Sequence, residues 1–149
     1  MPSHHVYLVR HGKAEPRSDD DDARHLTPEG RARFSRLLSL LGDRLRVALV
    51  LTSPLLRARE TAEILASFGG APLREEAKLA AGVSSGQEVL AMMREVKTGT
   101  ALVGHNPEFA EALALVAGKD LELKPGAIAL VTVREKEVSL AWLERPPKP

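Results

Sequence analysis

The sequence predicts an α/β fold: a three-layer α/β/α single domain over residues 1–149, with a mostly parallel sheet and an antiparallel edge strand or hairpin. Three observations lead there. Short, continuous, β-prone apolar runs alternate with longer amphipathic stretches, as strands and covering helices do in α/β chains. The last two β-prone runs are instead separated by a few charged residues, the spacing of a hairpin at a sheet edge. A length of 149 residues suits one domain, and neither a repeat nor a linker divides it.

Val6-Tyr7-Leu8-Val9 is an uninterrupted apolar run that ends at Arg10-His11-Gly12. Such a run suits a strand buried on both faces. Residues 13–26 are polar, and Asp19-Asp20-Asp21-Asp22 reads as a solvated loop rather than a metal site. Thr27-Pro28-Glu29 opens a helix, with Thr27 as N-cap and Pro28 at the first helical position. Phe34, Leu37, Leu38 and Leu41 follow at helical spacing before Gly42. Val47 to Leu51 is the second buried strand. Ser53-Pro54 is expected to open a second helix, with Leu55, Ala58, Ala62 and Leu65 inward and Gly69-Gly70 at its end. Along it, Arg59 is expected to pair with Glu60 or Glu63.

Pro72 to Glu75 suits a short edge strand. Residues 76–86 read as irregular, and Gln87 to Val96 as helical. Thr100 to Val103 is another buried strand, ending in Gly104-His105-Asn106-Pro107, and a helix follows over Pro107 to Val116. Ala127 to Val133 and Val138 to Trp142 form the hairpin. The tail, Arg145 to Pro149, is expected to be loose. Tyr7 and Trp142 read as packing residues, because aromatics are only 3% of the chain and are not clustered into a nucleic-acid platform.

Composition narrows the function. The 21 Lys and Arg balance 20 Asp and Glu, which argues against a general nucleic-acid or membrane-surface binder. The absence of cysteine excludes a thiol nucleophile, a thiolate metal site and a disulfide scaffold. No run approaches the ~20 apolar residues of a membrane helix. Met1-Pro2-Ser3-His4-His5 has no secretory pattern, so a cytoplasmic home is expected. Asn106 and Gln87 are the only amide side chains. That scarcity fits a heat-adapted source, and codon bias toward Arg, Ala, Gly and Pro fits it equally.

The chemistry gathers at strand ends. Arg10-His11-Gly12, Ser53-Pro54 with Arg57, and Gly104-His105-Asn106 each follow a strand. Ligands of open α/β sheets bind beyond the carboxyl ends of parallel strands. Two arginines and two histidines should therefore meet in one crevice. Arginine forks match phosphate oxygens, and helix starts at Pro54 and Pro107, capped by Ser53 and Asn106, would add free N–H groups. Positive neighbours disfavour imidazolium. A neutral His11 would have a lone pair able to attack phosphorus and split one displacement into two easier ones.

Leu8-Val9-Arg10-His11-Gly12 resembles the Arg-His-Gly signature of the histidine phosphatase, or phosphoglycerate-mutase-like, superfamily. The resemblance extends in order through Leu26-Thr27-Pro28-Glu29-Gly30, Thr52-Ser53-Pro54-Leu55-Leu56-Arg57-Ala58, Thr61-Ala62 and Val103-Gly104-His105. It implies that His11 is the nucleophile and that Arg10, Arg57 and His105 form the phosphate pocket. The chain is most similar to the short SixA-type phosphohistidine phosphatases, given its length, Arg24-His25-Leu26-Thr27 and Gly104-His105-Asn106-Pro107. Only 43 residues separate Thr61 from His105, leaving little room for the lid that longer members insert. Their Gly-x-x-Glu proton-donor pattern is not matched around Lys78 to Gly82, and Glu75, Glu76 and Glu88 lie in no recognisable motif.

The reading is thus a phosphatase that needs neither metal nor cofactor. It acts on a phosphorylated protein or a small phosphorylated substrate, with Arg24 and Asn106 as further substrate contacts. The first reading is hydrolysis of phosphohistidine on a protein. A small-molecule phosphomonoesterase and a catalytically weak phospho-ligand or protein-binding module are the alternatives.

Overall fold

A computed structural model describes residues 3–17, 19–135 and 137–148; Met1, Pro2, Lys136 in the expected hairpin turn and Pro149 in the expected tail lie outside them. Six strands and four α-helices follow the predicted alternation. They are β1 (His4–Arg10), α1 (Pro28–Leu41), β2 (Leu49–Thr52), α2 (Leu56–Gly69), β3 (Leu73–Glu75), α3 (Gly86–Glu95), β4 (Thr100–Gly104), α4 (Glu108–Ala117), β5 (Ile128–Arg134) and β6 (Glu137–Glu144). The sheet order is β3-β2-β4-β1-β5-β6. The pairs β3/β2, β2/β4 and β4/β1 are parallel, while β5 and β6 run antiparallel at one edge. This is the single-domain, three-layer α/β architecture that the alternation predicts.

β1 explains the layers. Its residues point alternately to the two faces, so Tyr7 and Val9 pack with Phe34, Leu38 and Leu65 of α1 and α2. Val6 and Leu8 pack on the other face with Met93, Phe109 and Leu113 of α3 and α4. Both faces are covered, which is why the run carries no polar residue.

Register then positions the strand ends. Arg10 pairs with Gly104 across β1/β4, and Thr52 with Val103 across β2/β4. The chain leaves all three neighbouring strands at one edge. His11 N–H donates to Gly104 O at 3.0 Å, and Ser53 N–H to Val103 O at 2.9 Å. β1 and β2 lie on either side of β4, so the connection between them crosses a switch point, where such sheets bind ligands.

Several local expectations need correction. Ser53 does not cap α2. The helix begins at Leu56 after a non-polar N-cap, Leu55, and the Ser53 hydroxyl instead accepts from Leu55 N–H at 3.1 Å. Pro107, not Asn106, holds the N-cap position of α4. Asn106 Oδ1 still accepts from Ala110 N–H at 3.1 Å, satisfying a first-turn donor from one residue further back. Arg59 pairs with Glu75 of β3 at 3.5 Å rather than with Glu60 or Glu63. The tail is not loose over its described part. Pro146 is buried, and Arg33 Nε donates to Pro147 O at 2.9 Å.

Gly104, the last residue of β4, tests how tightly this edge is packed. A Cβ there would lie 2.6 Å from Phe109 Cζ and 2.8 Å from Cε1, and Phe109 is fully buried. Gly104→Ala should therefore destabilise the protein by overpacking, by about 1–3 kcal/mol. A fall in the urea midpoint at unchanged slope would show it; an unchanged midpoint would contradict this packing.

Candidate active site

The sheet edge brings together four side chains that the sequence singles out. His11 follows β1, His105 follows β4, Arg10 ends β1 and Arg57 lies in the first turn of α2. The two imidazoles face each other with ring centroids 5.2 Å apart. His105 is 2% exposed and Arg57 4%, so these polar groups sit largely out of water.

Hydrogen bonds set each orientation. His11 Nδ1 lies 2.7 Å from Gly12 O. A carbonyl only accepts, so Nδ1 carries the proton and Nε2 keeps its lone pair. Gly12 N–H donates to Thr61 Oγ1 at 2.9 Å, and Thr61 Oγ1 donates to Arg57 O at 2.8 Å. One threonine thus ties the loop after His11 to the helix that carries Arg57. His105 Nε2 is 2.7 Å from Ser53 Oγ. Arg10 Nη1 donates to Leu123 O at 3.0 Å.

After these bonds, Arg10 Nε, Arg57 Nε and His105 Nδ1 are buried without a hydrogen-bond partner among the described residues; Arg24 Nε lacks one too but is ion-paired with Asp21. Buried polar atoms in native proteins are nearly always paired. Unpartnered polar atoms on three residues flanking one imidazole could take the oxygens of an oxyanion.

Arg24 joins this group at its mouth. Its Nε is 2.7 Å from Asp21 Oδ1 and its Nη1 donates to Glu15 O at 2.8 Å. Arg57 donates to Asp21 O at 2.9 Å and lies 3.6 Å from Asp21 Oδ2. Part of the acidic loop therefore folds against two arginines, as a short turn over Asp21–Ala23. Asn106 is placed differently. Its amide is occupied at both ends, by Leu123 O at 3.1 Å and by Ala110 N–H.

The electrostatics follow from burial. Desolvation lowers His11 to about 4, opposed by the Gly12 hydrogen bond and aided by Arg10, Arg57 and Arg24. Desolvation also lowers His105, to about 3, helped by His11, Arg57, Arg10 and Arg24. Burial lowers Arg10 and Arg57 as well, though guanidinium remains charged in proteins. Among the described residues, no group of three or more His, Asp or Glu could hold a metal ion. No described helix is long and apolar enough to cross a membrane.

Comparison with known proteins agrees with this geometry. Residues 6–107 match the profile of the histidine phosphatase superfamily (branch 1). The chain belongs to the histidine phosphatase superfamily. An uncharacterized protein from Picosynechococcus sp. is 38% identical over 136 residues, covering 83% of this chain and 81% of the relative. Among solved structures, SixA from Agrobacterium tumefaciens superposes with a TM-score of 0.83 at 24% identity, covering 97% of this chain and 99% of that one. A protein histidine phosphatase SixA complexed with tungstate gives 0.82 at 24% identity over 95% and 97%. A mycobacterial glucosyl-3-phosphoglycerate phosphatase gives 0.68 at 16% identity over 93% and 98%. At these identities the structural likeness establishes the shared fold.

Sequence reasoning missed some supports of this candidate site. Glu60, one turn after Arg57 on α2, is buried and accepts from Leu26 N–H at 2.7 Å while pairing with His25 and Arg31. Burial alone would raise its pKa, but the bonds from His25 and Leu26 and the Arg31 charge bring it below its usual value. It anchors the end of the loop that carries Arg24. The signal available was its position in the Arg57 to Thr61 block. Leu123 O, shared by Arg10 and Asn106, had no signal, because any residue supplies a carbonyl.

Both buried imidazoles are neutral when folded and charge near pH ~6.5 when unfolded. The folded state thus binds fewer protons between about pH 6.5 and pH 4, and stability falls as pH drops through that window. In an NMR titration, the His11 and His105 ring signals should stay at neutral-imidazole positions from about pH 8 down to about pH 5. A midpoint near the ordinary histidine value for either ring would contradict the assigned burial.

Proposed function

We propose that this protein hydrolyses phosphohistidine on a protein substrate through a covalent phospho-His11 intermediate, without a metal. The observation that carries the reading is the His11 ring, fixed with Nε2 unprotonated and surrounded by unpaired donors of Arg10, Arg57 and His105. Nε2 attacks phosphorus, the substrate P–N bond breaks, and its electron pair returns to the departing imidazole nitrogen. Arg10, Arg57 and His105 Nδ1 take the phosphoryl oxygens, whose charge spreads in the transition state. In this reading Ser53 donates its hydroxyl proton to His105 Nε2, leaving the His105 proton on Nδ1 to face the phosphoryl group. Water then attacks phospho-His11, the P–Nε2 bond breaks and phosphate leaves. Arg24 is assigned to the substrate at the mouth, whereas the engaged amide of Asn106 is better suited to positioning Leu123 O, and through it Arg10.

The preference for phosphohistidine follows from the leaving group. A protonated phosphohistidine ring leaves as neutral imidazole, whose conjugate acid has a pKa near ~6.5, and it needs little help from an enzyme acid. The three glutamates weighed in sequence as acids for an alkoxide leaving group are engaged elsewhere. Glu75 pairs with Arg59, Glu76 accepts from Lys78 N–H, and Glu88 completes the capping box at the start of α3. One observation favours a small-molecule phosphomonoesterase instead: Asp21 places a carboxylate against Arg24 and Arg57.

A leaving-group series separates the two. Phosphohistidine and activated aryl phosphates should exceed alkyl phosphomonoesters in kcat/KM by about 10²–10⁴, the usual worth of a general acid. A flat dependence that becomes steep in Asp21→Asn would overturn the phosphohistidine reading and identify Asp21 as the proton donor. Failure to turn over any phosphate would leave a binding module.

A further inference from the structure

We propose that a basic cleft beside His11 docks an acidic segment of the phosphoprotein substrate, an inference that rests on the protein-phosphohistidine reading above. The cleft holds about 300 Å³ and is separate from the orphaned donors of the phosphate site. Four chain segments meet in it: the loop after β1, the first turns of α1, the loop before β5 and the tail after β6.

Topology places it on the same sheet edge as the nucleophile. β5 enters the sheet where β1 ends, with Ile128 opposite Val9, and β6 leaves there, with Glu144 opposite Ile128. The cleft and the nucleophile also share a wall. Gly126 N–H bonds both Arg10 O at 3.1 Å and His11 O at 2.9 Å. A macromolecule that presents a phosphohistidine to Nε2 of His11 must lie across this edge.

The charge is one-sided. Lys13, Arg33, Lys124, Arg145 and Lys148 line the cleft, and none of its ten lining residues is acidic. The carboxylates that reach these cations sit on the rim. Glu29 lies 3.1 Å from Lys13 and 3.7 Å from Arg33, and Glu122 lies 2.6 Å from Lys124. These pairs are largely exposed, and exposed pairs are weak enough to exchange partners. Arg145 and Lys148 form no hydrogen bond or salt bridge among the described residues, although the charge of Arg145 is felt at Glu122. The formal net charge of the whole chain is only +1, so this concentration of cations is local.

The tail is held so that it serves this wall. Pro146 is buried against Gly126, where an added Cβ would lie 2.9 Å from Pro146 Cγ, and Arg33 Nε holds Pro147 O. That pins Arg145 and Lys148 on either side of the docked prolines. Cations spread over four segments fit a string of carboxylates. Complementary charge of this kind speeds encounter and fixes register, and salt weakens it.

The test uses phosphohistidine peptides of equal length flanked by Glu, Ala or Lys, together with an unphosphorylated Glu-rich peptide for binding by fluorescence anisotropy. The variant is R145E/K148E, at two exposed positions away from the phosphate site, with Lys124→Glu as an independent second. Wild type should prefer the Glu-flanked peptide over the Ala-flanked one by about tenfold in kcat/KM. The variants should lose that preference and the binding of the Glu-rich peptide, while turnover of an activated aryl phosphate stays unchanged. Equal binding of the Glu-rich peptide by wild type and variants would overturn the docking proposal. So would binding of inorganic tripolyphosphate, but not the peptide, in a manner that the variants abolish. If all peptides were hydrolysed alike and no Glu-rich peptide bound, docking would fall and the substrate reading would stand. If aryl phosphate were hydrolysed but no phosphohistidine peptide, with Glu-rich binding lost in the variants, the substrate reading would fall and the acidic docking surface would stand.

Discussion

The 2.7 Å bond from His11 Nδ1 to Gly12 O governs the chemistry of this site. Because the acceptor is a carbonyl, the bond settles which nitrogen carries the proton and which keeps the lone pair. The rest of the local structure holds that carbonyl and that ring in place. His11 N–H is bound by Gly104 O of β4, His11 O by Gly126 N–H, and Gly12 N–H by Thr61 of α2. Two backbone groups and one threonine hydroxyl hold the segment that carries this ring, and in the proposed reaction such preorganisation lowers the barrier.

Burial sets the second constraint. Two imidazoles lie among Arg10, Arg57 and Arg24, and desolvation with like charge keeps both neutral. In the proposed reaction this is a useful combination: a neutral nucleophile does not compete with the arginines for the anion. The fold tolerates the clustered positive charge because Asp21 lies between Arg24 and Arg57, and because Arg10 has a carbonyl of the loop before β5 to bind. Under the proposed function, the unpartnered polar atoms that remain are the cost of holding the site ready for an oxyanion.

What was legible in the sequence follows from physical range. The buried strands were visible because a strand covered on both faces is a nearly continuous run of apolar and aromatic residues, as in Val6 to Val9. Arg10, His11, Arg57 and His105 could be placed at one edge because parallel strands alternating with helices bring their carboxyl ends together. The failures are tertiary. Ser53 looks like a cap in sequence, but His105 and Leu55 claim its hydroxyl. Asn106 reads in sequence as a helix cap and a substrate contact, yet Leu123 O and Ala110 N–H take both ends of its amide. Arg59 prefers a carboxylate on β3 to its own helix neighbours. A charged tail rich in proline reads as loose until the groove over Gly126 that receives Pro146 is seen. The partners His105, Leu123, Glu75 and Gly126 are distant in sequence and leave no local pattern.

The central claim is that Nε2 of His11 becomes phosphorylated. Rapid quenching into alkali during turnover of an activated aryl phosphate, followed by mass spectrometry and phosphorus–nitrogen NMR, tests it directly. Alkali preserves a phosphoramidate and acid destroys it. The account predicts one phosphoryl group per chain, on His11 and bonded to Nε2, and none in His11→Ala. A phosphoryl group on Nδ1 of His11 or on His105 would contradict it, as would undiminished turnover by His11→Ala.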